Sequence, residues 1–367
     1  MIAVLADDFS GAAELAGIAA MRGFGAEVQT VFDPASTAEV IAVDCDSRGL
    51  SEELAAERVT AIAKAVAASA PEWIYKKTDS VLRGNVRMEI EAILGATGLR
   101  KCLFIPANPS KGRVIRGGEY FINGVPLDQT VFASDPDHPR RTSVVRELLG
   151  MSNRIECPDV VSVDEVRGFA MQMNPLWLAA GGADFFDQRI GGRDLAAMPG
   201  VVERTLLVCG SHAAWESGRA AQMEAQGFVV KVLPVAFFDA VPTSDWVAEM
   251  RQILLTQNRL MLAIGSPETP RSTEVMTTAV VAAAAAVAKG VRGLRLAMEG
   301  GATAIALMRH CGWTRFEVQR AGLTGVGVLR VIGGEAPVLW VKPGSYPWPD
   351  GVFVADPCVE KGAKLRN

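Results

Sequence analysis

Residues 2–21, IAVLADDFSGAAELAGIAAM, are typical of a strand, a polar turn and a helix in direct succession. Five apolar residues form a run of the length of a buried strand, and residues 7–11, DDFSG, supply the turn. The residues that follow place apolar side chains at helical spacing, and Gly23 marks the end of that helix. A strand that leads directly into a helix is the repeating unit of α/β proteins with parallel sheets, so this segment indicates the fold class.

The same alternation continues through the first half of the chain. Ser51 is a plausible N-cap for a long helix over residues 51–69, because acidic residues follow it in the first turn. Another helix is predicted over residues 86–98. Further strands are predicted at residues 26–32, 40–44, 73–77 and 101–107. The second half repeats the pattern, with strands at residues 205–211, 228–234, 259–266, 294–299 and 338–345.

Chain length and these elements predict two domains. A chain of 367 residues is long enough that two domains are expected. Pro and Gly precede a new strand near residues 198–205, so we place the boundary there. We expect an α/β protein with one domain at 1–198 and a second domain at 199–367. Each would hold a mainly parallel sheet flanked by helices.

Composition excludes several classes of protein. The net charge of −4 argues against a broad nucleic-acid surface. The most apolar window, residues 279–290, is rich in alanine and shorter than a membrane span. Residues 1–11 lack the long apolar core of a signal peptide, and the six cysteines form no C-x-x-C pair, so we expect a cytoplasmic protein with reduced thiols. The three histidines have no metal-ligand spacing.

Polar clusters follow three predicted strands, at residues 7–11, 77–80 and 108–113. Ligands of doubly wound sheets bind outside the carboxyl ends of strands, so the three clusters predict one site. Asp7 and Asp8 have two readings. Asp8 or Ser10 could cap the helix that begins near Gly11, or the two acids could bind sugar hydroxyls or a metal-bound water, with one acting as a general base.

The segment KKTDSVLRGN, residues 76–85, also has two readings. Asp79 or Ser80 could cap a turn while Lys76 and Arg83 lie in solvent. Alternatively, Lys77, Asp79 and Arg83 could grip a small polyhydroxy acid, since arginine binds a carboxylate through two hydrogen bonds.

Two further segments remain open on the residues alone. Arg113, with Lys111 beside it, could belong to an exposed basic loop or could hold a carboxylate or phosphoryl group. Gly300 and Gly301 follow a predicted strand and open a helix, where glycines let a phosphate approach backbone N–H groups. Such glycine turns are common, and the chain has neither G-x-x-x-x-G-K-S/T nor G-x-G-x-x-G.

Several motifs together resemble the four-carbon acid sugar kinases, a family formerly known only as a domain of unknown function. DDFSGA at residues 7–12 resembles its D-D-x-T-G-A opening, and YKKTDSVLRGN at 75–85 resembles its K-x-D-S-x-L-R-G segment. FIPANPSKGR at 104–113 is similar to its P-A-x-P-x-x-G-R segment. GGATAIALMRHCGW at 300–313 is similar to its G-G-D-T segment, and VLWVKPGSY at 338–346 to its K-x-G-G-F ending.

The resemblance implies a kinase that uses ATP and Mg²⁺ to phosphorylate the terminal hydroxyl of threonate, erythronate or 3-oxo-tetronate. It also implies that the domain at 1–198 binds the acid sugar and the domain at 199–367 binds the nucleotide, with the active site in the cleft between them. Asp8 is then the first candidate for the general base and Asp79 the second. Carried over by motif, the substrate-binding residues are Asp7, Gly11, Lys77, Ser80, Arg83, Gly84 and Arg113. The nucleotide-binding residues are Ser266, Gly300, Gly301, Ala302, Thr303 and Gly344. No side chain is assigned to a metal, the partners are the sugar acid and ATP, and a homodimer is the default oligomer.

Two departures from the family pattern keep other functions open. Ala302 stands where G-G-D-T has an acid, and the ending KPGS has lost one glycine. A sugar-acid binding protein with a degenerate nucleotide half is therefore an alternative. A third hypothesis is a metal-free lyase or isomerase that uses Asp8 and Lys77 as acid and base.

Overall fold

The computed structural model describes residues 1–135, 138–150, 152–192, 204–266, 271–319, 326–333, 336–342, 348–349 and 352–353. The helices are α1 (Phe9–Met21), α2 (Glu52–Ala68), α3 (Val86–Thr97), α4 (Val145–Leu149), α5 (Val163–Met171), α6 (Ala183–Ile190), α7 (His212–Glu216), α8 (Arg219–Glu224), α9 (Ser244–Gln257), α10 (Thr273–Ala288) and α11 (Gly301–Cys311).

The strands are β1 (Ile2–Ala6), β2 (Ala26–Gln29), β3 (Val40–Asp44), β4 (Trp73–Lys77), β5 (Lys101–Ile105), β6 (Arg113–Arg116), β7 (Glu119–Ile122), β8 (Val125–Pro126), β9 (Ile155–Glu156), β10 (Trp177–Gly181), β11 (Arg204–Cys209), β12 (Val229–Val232), β13 (Arg259–Ala263), β14 (Leu294–Glu299), β15 (Arg315–Val318), β16 (Gly327–Val331) and β17 (Val338–Lys342).

The chain forms two compact units, and the predicted α/β class is confirmed. In the first unit the strand order is β16-β15-β2-β3-β1-β4-β10-β5-β9. All pairs are parallel except those made by β15, which is antiparallel to β2 and β16. A small antiparallel sheet, β6-β7-β8, belongs to the same unit, and its β7–β8 turn is the predicted Asn123–Gly124 hairpin, with φ of 50° and 81°.

The second unit holds the parallel strand order β12-β13-β11-β14-β17. Most of the alanine-rich window lies in α10, where Ala279, Ala283 and Ala284 are among the buried residues. Among the described residues, no helix combines the length and the apolar character needed to cross a bilayer.

Continuous apolar runs explain why these strands pair in parallel. Every residue of β1 and β3 is buried, as expected for strands covered by helices on both faces. The helix α1 lies close to β16, where Gly327 permits the approach: an added Cβ there would lie 2.8 Å from the Cβ of Ala13. Burial of the sheet therefore leaves its strand ends as the places where polar loops meet.

Local sequence patterns predicted most elements of the sheet. The predicted strands at 40–44, 73–77 and 294–299 coincide with β3, β4 and β14, and Ser51 caps α2 as expected. The strand predicted at 26–32 ends earlier, at Gln29. The sequence did not predict β15 and β16, which join the sheet of the first unit although they lie late in the chain. The division at 198 and the cleft remain predictions.

Candidate active site

Parallel pairing brings three strand ends to one edge of the first unit. Ala6, the last residue of β1, is in register with Asp44 at the end of β3 and with Lys77 at the end of β4. The loops that begin at Asp7, Cys45 and Thr78 therefore start side by side. Two of these loops are polar clusters that the sequence predicted to form a site.

Arg48, from the loop after β3, joins three carboxylates at this edge. Its Nε lies 2.6 Å from Oδ2 of Asp7, its Nη1 2.8 Å from Oδ2 of Asp8, and its Nη2 3.6 Å from Oδ1 of Asp79. Arg48 was not among the predicted residues, although the signal was present: the strand-end rule applied to β3 points to the polar residues after Asp44. We call Asp7, Asp8, Asp44, Arg48, Asp79 and Arg83 the acidic cluster.

Asp8 both caps a helix and faces the cluster. Its Oδ1 accepts a hydrogen bond of 2.8 Å from the backbone N–H of Gly11, which makes Asp8 the N-cap of α1. Its Oδ2 accepts from Ser10 Oγ at 2.7 Å. The side chain of Asp8 is 13% exposed, against 4% for Asp7 and 5% for Asp79. The capping reading of Asp8 is confirmed, and it is compatible with contact to a ligand.

Asp79 is fully engaged by its neighbours. Its Oδ1 accepts from Arg83 Nη2 at 2.8 Å, and its Oδ2 accepts from Arg83 Nε at 3.1 Å and from the N–H of Val81 at 2.9 Å. Burial raises the pKa of Asp79, but Arg83 and Arg48 outweigh it and hold that pKa well below the usual value. Asp79 is therefore a fixed anion that orients two arginines.

Asp44 is the opposite case. Burial and the nearby carboxylate of Asp8 raise the pKa of Asp44 well above its usual value. Its Oδ1 accepts from the N–H of Asp46 at 2.8 Å, whereas its Oδ2 is buried with no hydrogen-bond partner among the described residues. Asp7 Oδ1 is likewise buried with no hydrogen-bond partner among the described residues. The pKa of Asp7 is nevertheless lowered, because Arg48 and Lys76 outweigh the effect of burial. Two acceptor atoms of the acidic cluster thus have unused capacity.

Glu14 of α1 anchors two lysines beside the acidic cluster. Lys111 Nζ lies 2.6 Å from Glu14 Oε1, and Lys77 Nζ lies 3.3 Å from Glu14 Oε2. Burial opposes ionisation of Glu14, but the two lysines lower its pKa to about 2. An added Cβ on Gly11 would lie 3.2 Å from Lys77 Cγ, so glycine lets this lysine pass close to the start of α1. Sequence reasoning missed Glu14 because nothing in α1 alone indicates its partners.

The other predicted substrate residues lie in the same loops. Arg113 Nη1 donates to Ser80 Oγ, and Tyr120 Oη donates to the Ser80 carbonyl at 2.6 Å. Gly84 has φ of 81°, and an added Cβ would lie 3.2 Å from Arg48 Cγ, so glycine is required where this loop passes Arg48.

The prediction that Lys76 of the segment at residues 76–85 lies in solvent is wrong. Lys76 is fully buried and paired with Glu89 of α3. The residues predicted for the substrate side are therefore brought together by ion pairs, hydrogen bonds and close packing at one edge of the first unit: Asp7, Asp8, Gly11, Lys77, Asp79, Ser80, Arg83, Gly84 and Arg113.

The predicted nucleotide residues lie at the carboxyl ends of the second unit's strands. Gly300, with φ of 98°, separates β14 from α11, and its N–H donates to the Lys342 carbonyl at 3.0 Å. Thr303 is buried against Gly210, where an added Cβ would lie 2.4 Å from Thr303 Oγ1. Ala302 is exposed in the first turn of α11.

Two other residues predicted to bind the nucleotide, Ser266 and Gly344, do not belong to this turn. Ser266 is exposed and lies shortly after β13. Since β13 and β14 both pair with β11, the loop of Ser266 begins at the same edge as Gly300 and Gly301. Gly344 lies outside the described residues.

A buried charged triad supports that edge. Glu299 Oε1, at the end of β14, lies 2.9 Å from Arg219 Nη2 and 3.1 Å from Lys342 Nζ. Lys342 Nζ also lies 5.3 Å from the centroid of the Trp348 ring, and burial lowers the pKa of Lys342. Sequence reasoning missed this triad, although Glu299 and Lys342 each end an apolar run. We call Arg219, Glu299 and Lys342 the buried triad.

Within the described ranges, no group of three or more His, Cys, Asp or Glu side chains is arranged to hold a metal ion. The five cysteines in these ranges are free thiols.

The sequence pattern of one known family covers almost half of the chain. Residues 2–173 match the pattern of the sugar-binding N-terminal domain family. The acidic cluster and the two lysines on Glu14 all lie within this matched segment.

Curated relatives extend the comparison. A D-threonate kinase from Salmonella typhimurium is 31% identical over 52% of this chain and 46% of its own length. A D-erythronate kinase from Heliobacterium modesticaldum is 28% identical over 59% and 48%. A 3-oxo-tetronate kinase from Methylobacterium radiotolerans is 24% identical over 93% and 95%. The predicted resemblance to four-carbon acid sugar kinases is confirmed, and the chain spans about half the length of the first two relatives.

Solved structures share the fold. A Salmonella typhimurium protein superposes with a TM-score of 0.72 at 17% identity, covering 94% of this chain and 96% of that one. A Haemophilus influenzae protein of the DUF1537 family gives a TM-score of 0.69 at 17% identity, covering 96% and 100%.

Proposed function

We propose that this protein is an ATP-dependent kinase that phosphorylates the terminal hydroxyl of a four-carbon sugar acid of the threonate, erythronate or 3-oxo-tetronate type. The names of its relatives support this reaction class. The observation that carries the proposal is the acidic cluster held by Arg48 at the carboxyl edge of the first unit, where α/β sheets bind ligands. The match to a sugar-binding family over the same residues agrees with it.

A sugar acid needs cations for its carboxylate and acceptors for its hydroxyls, and the first unit has both. Lys77 and Lys111 both pair with Glu14, so two cations meet around one carboxylate. Arg83 and Arg113 add fork-shaped donors that suit a carboxylate or a phosphoryl group. Asp8, whose side chain is 13% exposed, is the acceptor that a substrate hydroxyl can reach.

Asp8 is the better of the two candidates for the general base. A base must be able to take up a proton and must reach the reacting hydroxyl. Asp79 contacts two arginines, Arg48 and Arg83, which hold its pKa well below the usual value, so it is a poor proton acceptor. Asp8 is the more exposed of the two and has a single arginine contact.

The turn at Gly300 suits a phosphate group. An added Cβ on Gly300 would meet no described atom within 4 Å, so backbone N–H groups at the start of α11 are open to close approach. The buried triad carries two cations for one anion and fixes the ends of β14 and β17 beside this turn. ATP, when bound with Mg²⁺, supplies the phosphoryl group; Mg²⁺ usually takes one or two carboxylates together with substrate phosphates.

The test is turnover with a panel of tetronates. Purified protein is incubated with ATP, Mg²⁺ and threonate, erythronate or 3-oxo-tetronate, and ADP release is measured. We expect ADP to form with at least one four-carbon acid and not with five- or six-carbon acids. No turnover with any tetronate, or equal turnover with longer acids, would contradict the proposal.

Ala302 favours one alternative, a sugar-acid binding protein that no longer uses ATP. The resembled family has an acid at this position, and Ala302 is exposed in the first turn of α11. Thermal shift separates the two functions, because a ligand that binds only the folded state raises its melting temperature. A kinase should respond to tetronate and to ATP with Mg²⁺, whereas the binding protein should respond to tetronate alone. Cytoplasmic location and a homodimer stay predictions.

A further inference from the structure

Arg48 occupies an unusual position, because one guanidinium contacts three carboxylates from two different loops. Asp7 and Asp8 follow β1, Asp79 follows β4, and Arg48 itself follows β3. Its side chain is 21% exposed, and Gly84 packs on its Cα and Cγ. A residue with these contacts controls where the carboxylates point.

We propose that Arg48 is a positioning residue for phosphoryl transfer, which holds the Asp8 carboxylate toward the substrate hydroxyl and lets three carboxylates stay charged side by side. The proposal deepens the proposed kinase function and rests on it for the identity of the step. In that step the hydroxyl proton moves to Asp8, the substrate oxygen bonds to the γ-phosphorus of ATP, and the bond from that phosphorus to the β–γ bridging oxygen breaks, releasing ADP.

Geometry argues for orientation. Asp8 Oδ2 is fixed by Arg48 Nη1 at 2.8 Å and by Ser10 Oγ at 2.7 Å, while Oδ1 is fixed by the Gly11 N–H at 2.8 Å. Ser10 and Gly11 belong to the same turn as Asp8, so Arg48 is the contact that ties this carboxylate to the neighbouring loops. A base displaced by about 1 Å costs on the order of 10²-fold in rate.

The distribution of charge supports the second role of Arg48, which is to keep the neighbouring carboxylates charged. The groups around Asp8 are the carboxylates of Asp7, Asp44 and Asp79 and the cations Arg48, Arg83, Lys76 and Lys77. Arg83 is paired with Asp79 and Asp135, Lys76 with Glu89, and Lys77 with Glu14. Among the described residues, Arg48 is thus the cation that forms ion pairs with both Asp7 and Asp8. Asp44 is the contrasting carboxyl of the cluster: burial and Asp8 raise its pKa, so it favours the protonated form.

Kinetics of Arg48→Met and Arg48→Lys test the proposal. We expect Arg48→Met to lower kcat by about 10²-fold with a smaller change in KM. The acid limb of its kcat/KM profile should move to higher pH, because loss of a neighbouring cation makes a carboxylate easier to protonate. Arg48→Lys keeps the positive charge but cannot contact all three carboxylates, so its pH profile should lie between those of wild type and Arg48→Met. Arg167→Met, at an exposed arginine paired with Asp164, is the matched control and should behave as wild type.

A stability measurement does not depend on kinase activity. At neutral pH the three carboxylates of Arg48→Met repel one another. Since the folded-state pKa values of Asp7 and Asp79 lie below the ordinary 3.8, the stabilisation by Arg48 is lost only in stronger acid. The melting-temperature gap between wild type and Arg48→Met should therefore be large near about pH 7.5 and should shrink as the pH falls below 3.8 toward about pH 2. A purely structural arginine would leave a gap that does not change with pH.

The outcomes separate the inference from the proposed function. An Arg48→Met protein with wild-type kcat and acid limb, or with a pH-independent stability gap, overturns the inference. If Arg48→Met does not fold, wild-type kcat and acid limb in Arg48→Lys overturn it instead. If the wild-type protein has no turnover, the proposed function fails, and the stability gap still decides whether Arg48 keeps the carboxylates charged.

Discussion

The two charged groups at the strand ends differ in sign, burial and origin. The acidic cluster of the first unit contains four aspartates and two arginines, comes from the end of β3 and the loops after β1, β3 and β4, and is partly exposed at Asp8, Arg48 and Arg83. The buried triad of the second unit has one carboxylate and two cations, and none of its side chains is more than 7% exposed. The difference indicates two tasks: the exposed cluster can meet a ligand, whereas the buried triad holds the base of a turn.

A substitution in the acidic cluster should have the largest effect, and that effect should be on the rate of catalysis. Asp8→Asn should lower kcat by about 10²- to 10⁴-fold because it removes the proposed base. Asparagine caps helices about as well as aspartate, so folding and tetronate binding should survive. Steady-state kinetics with calorimetric titration of the tetronate checks both parts.

Asp164→Asn, at an exposed acid on α5, is the matched control for this variant. Full turnover by Asp8→Asn would remove Asp8 from the role of base and pass it to another group of the cluster.

A variant of the buried triad should instead affect stability. Glu299→Gln keeps the shape but leaves Arg219 and Lys342 without the charge of Glu299, and loss of one partner of a buried ion pair costs about 3–5 kcal/mol. Chemical denaturation measures this loss. Glu249→Gln, at an exposed pair with Lys231, should change stability by less than about 1 kcal/mol. Equal losses for the two variants would contradict the contrast in burial.

The pH dependence of stability tests the lysine pairs beside the acidic cluster. Glu14 has a folded-state pKa of about 2 against an ordinary 4.5, so its ionisation favours the folded state. The shift corresponds to about 3 kcal/mol, fully present above pH 4.5 and lost as the pH falls toward 2. Glu14→Gln should therefore destabilise the protein by about this amount at neutral pH and by little near pH 2.

Urea denaturation across pH checks the Glu14 variant. Glu156→Gln, at an exposed pair with Lys101, serves as the control. A destabilisation by Glu14→Gln that is the same in acid would show that its ion pairs with the lysines contribute nothing.

A substitution at the turn of the second unit should have the weakest consequence. Ala302→Asp places a negative charge in the first turn of α11, where it should raise stability by about 0.3–1 kcal/mol through the helix dipole. It also restores the acid of the resembled motif. A larger ATP-induced thermal shift with an unchanged tetronate shift would link this position to the nucleotide, while a change in the tetronate shift would contradict that link.

Sequence reasoning succeeded where the signal was local. The apolar run of β1, its polar turn and the cap of α1 are contiguous, and so are the residues of KKTDSVLRGN. The positions of Asp8 and Asp79 relative to their own helices and turns were therefore open to prediction.

Side-chain contacts that depend on which strands are neighbours in the sheet were not predicted. Arg48 meets Asp7 and Asp79 because β3, β1 and β4 are neighbours, and the chain does not state that order. Lys76 was placed in solvent by one reading because its partner, Glu89, comes from α3. The strand β15 was missed for the same reason, since its pairing with β2 joins residues about 290 apart in sequence, such as Phe316 and Val28. The strand β16 joins that sheet through β15.

Mass spectrometry of the reaction product decides whether the protein transfers a phosphoryl group to a tetronate. Wild-type protein, ATP and Mg²⁺ are incubated with the tetronate that gives the largest thermal shift, and the sugar acid is analysed beside an Asp8→Asn reaction. We expect a tetronate that carries one phosphoryl group on its terminal oxygen with wild type and almost none with the variant. An unmodified tetronate with wild type, despite a clear thermal shift from both ligands, would show that the protein is not a tetronate kinase.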